Sequence, residues 1–167
     1  MHYIIDTCTV INFHNANITS LVLSRCEDAV YIGEICLAEV DEEQKATLTP
    51  YINSGRVEVL SANELDLDAF IEAKTEMILG DGETECIIWA MAANLCICTD
   101  DGRARKKAKE VLGDDLVTGS LGLLKRLVEC EVITVESAFL MYSMMIESGA
   151  FLPSFSKIQD MTEYLAI

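Results

Sequence analysis

Hydrophobic positions along the chain fall into two rhythms. Short, nearly unbroken apolar runs, Tyr3-Ile4-Ile5, Ala29-Val30-Tyr31-Ile32, Val57-Glu58-Val59-Leu60, Leu95-Cys96-Ile97-Cys98-Thr99 and Leu116-Val117-Thr118, predict strands. Between them, apolar residues recur at helical spacing. The predicted helices cover 7–13, 18–26, a span from Glu34 toward Thr47, 65–79, 83–93, 103–112 and 121–130. Two more, within 135–147 and 154–164, close the fold. In the helix over 65–79 the repeating positions are Leu65, Leu67, Phe70, Ile71, Ala73 and Ile78. Gly80-Asp81-Gly82 reads as a turn, and Gly33 and Asn94 as stops.

Strands alternating with helices predict an α/β fold with a mostly parallel sheet of four to five short strands between two layers of helices. The continuous, non-alternating pattern at 95–99 fits a parallel strand covered on both faces. With 167 residues, no linker-like stretch and no internal repeat, the expectation is one domain over 1–167, closed by helices in 134–165. In such sheets, sites collect beyond the carboxyl ends of the strands.

Composition narrows the function classes. No apolar run approaches the ~20 residues of a membrane span, and the first residues run straight into a strand without a basic n-region. The seven cysteines show no C-x-x-C spacing and are odd in number. They are expected to be mostly small buried hydrophobes in a reducing, cytoplasmic setting rather than a zinc or disulfide framework. The formal charge of −16 disfavours a broad basic surface for nucleic acid. Yet five of the twelve Lys and Arg residues are Arg103, Arg105, Lys106, Lys107 and Lys109, a single basic helix on an acidic body.

Two of the most apolar strands end on acids, Asp6 after the first and Asp100-Asp101 after the fourth. Glu39 and Glu85 lie inside apolar helical stretches. Carboxylates brought together in a partly buried space repel one another and take up protons, unless a divalent cation removes the penalty. All-oxygen donors select Mg²⁺ or Mn²⁺. Each acid also has an ordinary role open to it. Asp6 is placed to cap the following helix, and Asp100 and Asp101 to cap or pair with the basic helix after them. Glu39 neighbours Asp41, Glu42 and Glu43 on an acidic face, and Glu83 and Glu85 sit in a helix's first turn.

Taken together, the segments resemble the PIN-domain family, in particular its VapC-like toxins. The resemblance rests on Ile5-Asp6-Thr7, on 30–40 with Glu39, and on Gly82-Glu83-Thr84-Glu85-Cys86-Ile87-Ile88-Trp89-Ala90. It extends through Thr99-Asp100-Asp101-x-Arg103-x-Arg105 to Val117-Thr118-Gly119-Ser120-Leu121-Gly122. Gly33 stands where a proline is usual, and both Asp100 versus Asp101 and Glu83 versus Glu85 stay open, Glu85 being favoured. The resemblance implies hydrolysis of RNA phosphodiesters with Mg²⁺ or Mn²⁺. Asp6, Glu39, Glu85 and Asp101 would be the catalytic set, with Asp100 as a further ligand. Thr118 and Ser120 would bind a water or a phosphate oxygen, and Arg103, Arg105 and Lys106 would guide the RNA. It also implies an antitoxin protein or a second copy of the chain as partner, and no membrane. A receiver domain would place its acid pair after the first strand, and a haloacid-dehalogenase phosphatase would want a second acid at Cys8. The remaining alternative is a PIN-like interaction module of weak activity, which the net charge favours and the intact carboxylate set opposes.

Overall fold

The computed structural model describes residues 1–25 and 28–167. Its strands are β1 (His2–Ile5), β2 (Ala29–Gly33), β3 (Val57–Leu60), β4 (Cys96–Cys98) and β5 (Val117–Thr118). Its helices are α1 (Thr7–Asn15), α2 (Thr19–Arg25), α3 (Glu34–Glu39), α4 (Glu42–Asn53), α5 (Leu67–Met77), α6 (Asp81–Ala93), α7 (Gly102–Leu112), α8 (Ser120–Glu129), α9 (Val135–Glu147) and α10 (Ile158–Leu165). Every strand pairing is parallel, and the order is β3-β2-β1-β4-β5. Ile4, Ile32 and Ile97 in the three central strands are fully shielded, as strands covered on both faces require.

That order sets the site. The chain lays β2 and β3 on one side of β1, then crosses to lay β4 and β5 on the other. The crevice where the winding reverses therefore opens at the carboxyl ends of β1 and β4, whose register pairs Ile5 with Cys98. The amide of Asp6 continues the ladder, donating to the Cys98 carbonyl at 3.0 Å. Helices flank the sheet in two groups, α3, α5 and α7 around α6, and α1, α2, α4, α8 and α9 together, with α10 against α8 and α9.

Two expectations from periodicity need correction. The helix expected from Glu34 toward Thr47 is two helices, because Val40 is extended (ψ 147°) and Asp41 starts α4 with a capping box, its carboxylate on Gln44 N and the Gln44 side chain on its own amide. The helix expected over 65–79 begins only after Asp66 caps it, and its apolar positions are not a buried stripe. Leu67 is 67%, Ile71 54% and Ile78 72% exposed, and Ala73 is the buried residue within it. The turn expected at 80–82 is instead the first turn of α6. Cys36, Cys86, Cys96 and Cys98 are buried, Cys8 is half-buried and Cys130 exposed, all as free thiols, while Cys26 lies outside the described residues. Among the described residues no helix is long and apolar enough to cross a membrane.

Candidate functional site: a carboxylate cluster at the sheet's switch point

Asp6 is the floor of the crevice. As N-cap of α1 it turns its side chain back over the end of β1 and is only 3% exposed. One oxygen accepts from Thr7 N at 2.7 Å; the other accepts from Thr99 Oγ1 at 2.6 Å and from Cys8 Sγ at 3.1 Å. Burial raises its pKa and outweighs these bonds, which favour the charged form; the charge of Glu39 adds to the rise. Burial, aided by Asp6's charge, pushes the Cys8 thiol up to about 12, so it remains a proton donor to Asp6.

Glu39, the last residue of α3, is exposed above this floor. It accepts from Thr7 Oγ1 at 2.8 Å and from Gly82 N at 3.1 Å, which ties α3 to both α1 and the start of α6. Gly82 permits the approach, since a Cβ there would lie 2.6 Å from Glu39 Oε2 and 3.0 Å from Cys36 Sγ.

The two glutamates of α6 face different neighbours. Glu85 is fully buried and accepts from the amides of Ile35 (3.1 Å) and Cys36 (2.9 Å), so it caps the first turn of α3. Burial raises its pKa in spite of those bonds. The capping position explains Gly33, where the resemblance suggested a proline and a minor departure: a Cβ at 33 would overlap the Glu85 carboxyl group. Glu83 is partly exposed, and one of its oxygens accepts from Gly80 N at 2.8 Å. Its pKa is raised, by burial first and less by the charges of Asp101 and Asp6, against a lowering by the Gly80 N hydrogen bond and a weaker one by Arg103. Glu83 therefore feels the acids of both strand ends, whereas the acid that acts on Glu85 is Glu39.

The aspartates after β4 also separate. Asp100 accepts from Asn12 Nδ2 (2.8 Å), from Ser120 N (2.9 Å) and from the Ser120 hydroxyl, and so joins α1 to α8. Asp101 caps α7, one oxygen accepting from Arg103 N and Ala104 N at 2.8 Å each, while its own amide donates to Thr99 Oγ1 at 3.3 Å. Asp101 Oδ2 and Glu83 Oε1 have no hydrogen bond to a described residue. Thr7 and Thr99 thus link Glu39, Asp6 and Asp101 into one network. Its outward donors are carboxylate oxygens, which fits a hard divalent cation, and the mutual repulsion felt by Glu83 is the cost such a cation would remove.

Ser120 is fully buried and committed to Asp100, so it holds that carboxylate instead of facing solvent. Thr118 turns its hydroxyl toward Gly122, where a Cβ would not fit. On α7 the cations differ. Arg103 donates to the Ile78 carbonyl at 2.7 Å and acts on Glu83, and Arg105 donates to the Thr99 carbonyl at 3.1 Å. Lys107 pairs with Glu110 at 2.8 Å and Lys109 with Asp114 at 2.7 Å. Lys106 is exposed and makes no ion pair among the described residues. Asn12, which had no signal beyond being polar in an apolar helix, and Thr99, read only as the end of a strand, are the positioning residues that pattern did not single out.

The PIN-domain family model DUF3368 matches residues 2–158, from the first residue of β1 to the first of α10. A search of curated proteins finds no match. Among solved structures, the crystal structure of PAE2754 from Pyrobaculum aerophilum is similar, with a TM-score of 0.54 at 17% identity. The match covers 77% of this chain and 90% of that one, and at such identity it speaks for the fold. PIN domains are generally nucleases and typically bind divalent metals. The family model, the parallel sheet and the acids gathered at its switch point agree, and the chain belongs to the PIN-domain family.

Proposed function

We propose that the protein is a metal-dependent endoribonuclease of the VapC-like toxin type, using Mg²⁺ or Mn²⁺ and working in the reducing cytoplasm with an antitoxin as its regulator. The observation that carries this is Asp6, a carboxylate at 3% exposure that feels the charge of Glu39, acts with its own charge on Glu83, and shares the Thr99 hydroxyl with the backbone amide of Asp101. An isolated carboxylate in that position is a liability to folding; one that holds a cation is not.

Asp6, Glu39, Glu83 and Asp101 would hold the cation. Glu83 replaces Glu85 in this set because both oxygens of Glu85 are engaged by the amides that start α3. A cation bound there would supply Lewis acidity at the phosphate and a water acidic enough to act as nucleophile near neutral pH. Thr7 orients Glu39, Thr99 orients Asp6, the first amides of α7 orient Asp101, and Asn12 with Ser120 fixes Asp100 behind them. Arg103 and Lys106 would meet the RNA backbone at the rim. The net charge of −16 favours a second possibility, a module that binds a protein partner and cleaves little.

The two glutamates test the assignment. Glu83→Gln should lower Mn²⁺-dependent RNA cleavage by about two orders of magnitude or more with its melting temperature kept or raised. Glu85→Gln should lower the melting temperature by uncoupling the start of α3, and leave the folded fraction active. Loss of activity in Glu85→Gln alone, without a change in stability, would reverse the assignment.

A further inference from the structure

Beneath the carboxylates lie two thiols that the nuclease proposal does not use. Cys36, in the first turn of α3, and Cys86, on the buried face of α6, bring their sulfurs to 3.5 Å, and Cys36 Sγ lies 3.8 Å from Asp6 Oδ1. The ligand atoms of Asp6, Cys36 and Cys86 all fall within 4.8 Å of one another, and all three residues are buried. Two backbone carbonyls face the same space, Gly82 O at 3.3 Å from Cys36 Sγ and Ile5 O at 3.8 Å from Cys86 Sγ.

We propose that Asp6, Cys36 and Cys86 form a second cation site, specific for a thiophilic divalent ion such as Zn²⁺, which competes for Asp6 with the cation of the nuclease site. A tetrahedral ion with Zn–S bonds of about 2.3 Å sets two sulfurs about 3.8 Å apart, and a sulfur and a carboxylate oxygen about 3.6 Å apart. The observed 3.5 Å and 3.8 Å lie within a few tenths of an ångström of two of those edges, and the third, between Cys86 Sγ and Asp6, lies within 4.8 Å and closes as the ion draws the ligands together. Hard ions such as Mg²⁺ do not choose thiolates, so the donor sets divide by softness, with oxygen toward the crevice and sulfur toward the core. Asp6 belongs to both. On binding, each thiol releases its proton to solvent, and two thiolates with one carboxylate then surround the dication. Occupation draws Asp6 Oδ1 inward and takes a ligand from the outer cation, so the soft ion inhibits. The inhibitory effect rests on the proposed nuclease site; the binding itself does not.

Cd²⁺ is a spectroscopic probe of such a site, because thiolate ligation gives an ultraviolet charge-transfer band. The full chain carrying Cys130→Ser, to remove the thiol that is exposed among the described cysteines, is titrated with Cd²⁺ under a phosphine reductant. The expected result is a band that saturates at one equivalent, yields to Zn²⁺, and is indifferent to millimolar Mg²⁺. Cys36→Ser and Cys86→Ser should each weaken Cd²⁺ binding by about tenfold or more, while stabilisation by Mn²⁺ persists. A native protein that shows no band at one equivalent overturns the proposal without recourse to any core variant. So does a band that survives both substitutions. Absence of Mn²⁺ stabilisation would instead count against the nuclease site and leave the cadmium band in place, so the two proposals fail separately.

Discussion

Asp6, Glu83 and Glu85 share one physical condition: burial raises the pKa of each. A carboxyl group whose folded pKa exceeds its unfolded one stabilises the fold below the unfolded value and loses that contribution as pH rises through the folded value. Metal-free protein should therefore lose stability from the ordinary carboxylate range upward, and Glu85→Gln, which removes one such group, should show a shallower decline. Denaturant unfolding in a chelator across pH ~4 to ~7 checks this. Equal slopes would mean that Glu85 does not titrate within the fold. Gly33 gives a second test at this scale. Gly33→Ala should cost about 1–3 kcal/mol, because the added methyl displaces a buried, hydrogen-bonded side chain. In a Glu85→Ala background the same change should cost much less, and a double-mutant cycle measures the difference. Pattern alone could place Asp6, since an acid closing a buried strand has few other directions to point. It could not separate Glu83 from Glu85. They are two residues apart on one helix, and only the position of α3 decides which one accepts from the amides of Ile35 and Cys36 and which is left to the charges of Asp6 and Asp101.

At the scale of elements, all five strands were legible, because continuous apolar runs that end on turn residues have few other interpretations. The break within 34–47 was less so. Ile35, Leu37 and Val40 keep a helical rhythm up to it, and the stop depends on a capping box that is itself local, Asp41 with Gln44. The error at α5 has another cause. Leu67, Ile71 and Ile78 repeat as a core stripe would, but α5 packs on α6 and leaves them in solvent. In the basic helix α7, a spacing of three puts Arg103 and Lys106 on one face, and a spacing of four puts Arg105 and Lys109 on another. The structure shows that Arg105 serves the Thr99 carbonyl and that Lys107 and Lys109 are paired locally. Arg103→Ala with Lys106→Ala should weaken binding of RNA and reduce its salt slope by about one for each phosphate no longer neutralised. Lys107→Ala with Lys109→Ala should do neither. Filter-binding at several salt concentrations distinguishes the pairs, and equal small decreases in affinity would place the RNA-binding face elsewhere.

On the scale of the whole molecule, the strand order β3-β2-β1-β4-β5 turns scattered acids into one site. No local pattern records that order, yet it sets Asp6 beside Thr99 and Asp101 although more than ninety residues separate them. The charge of −16 remains the property that works against a nuclease, and it makes the chemistry of one residue decisive for the account. Asp6→Asn keeps the side chain's shape and removes the charge that would hold the cation. A panel of structured and single-stranded RNAs, incubated in Mn²⁺ with wild type and with Asp6→Asn purified identically, reads this directly. Wild type should cleave, and Asp6→Asn should be slower by orders of magnitude while melting at or above the wild-type temperature. Equal cleavage by both proteins, or none by a wild type whose melting temperature ignores Mn²⁺, would contradict a metal-dependent nuclease centred on Asp6.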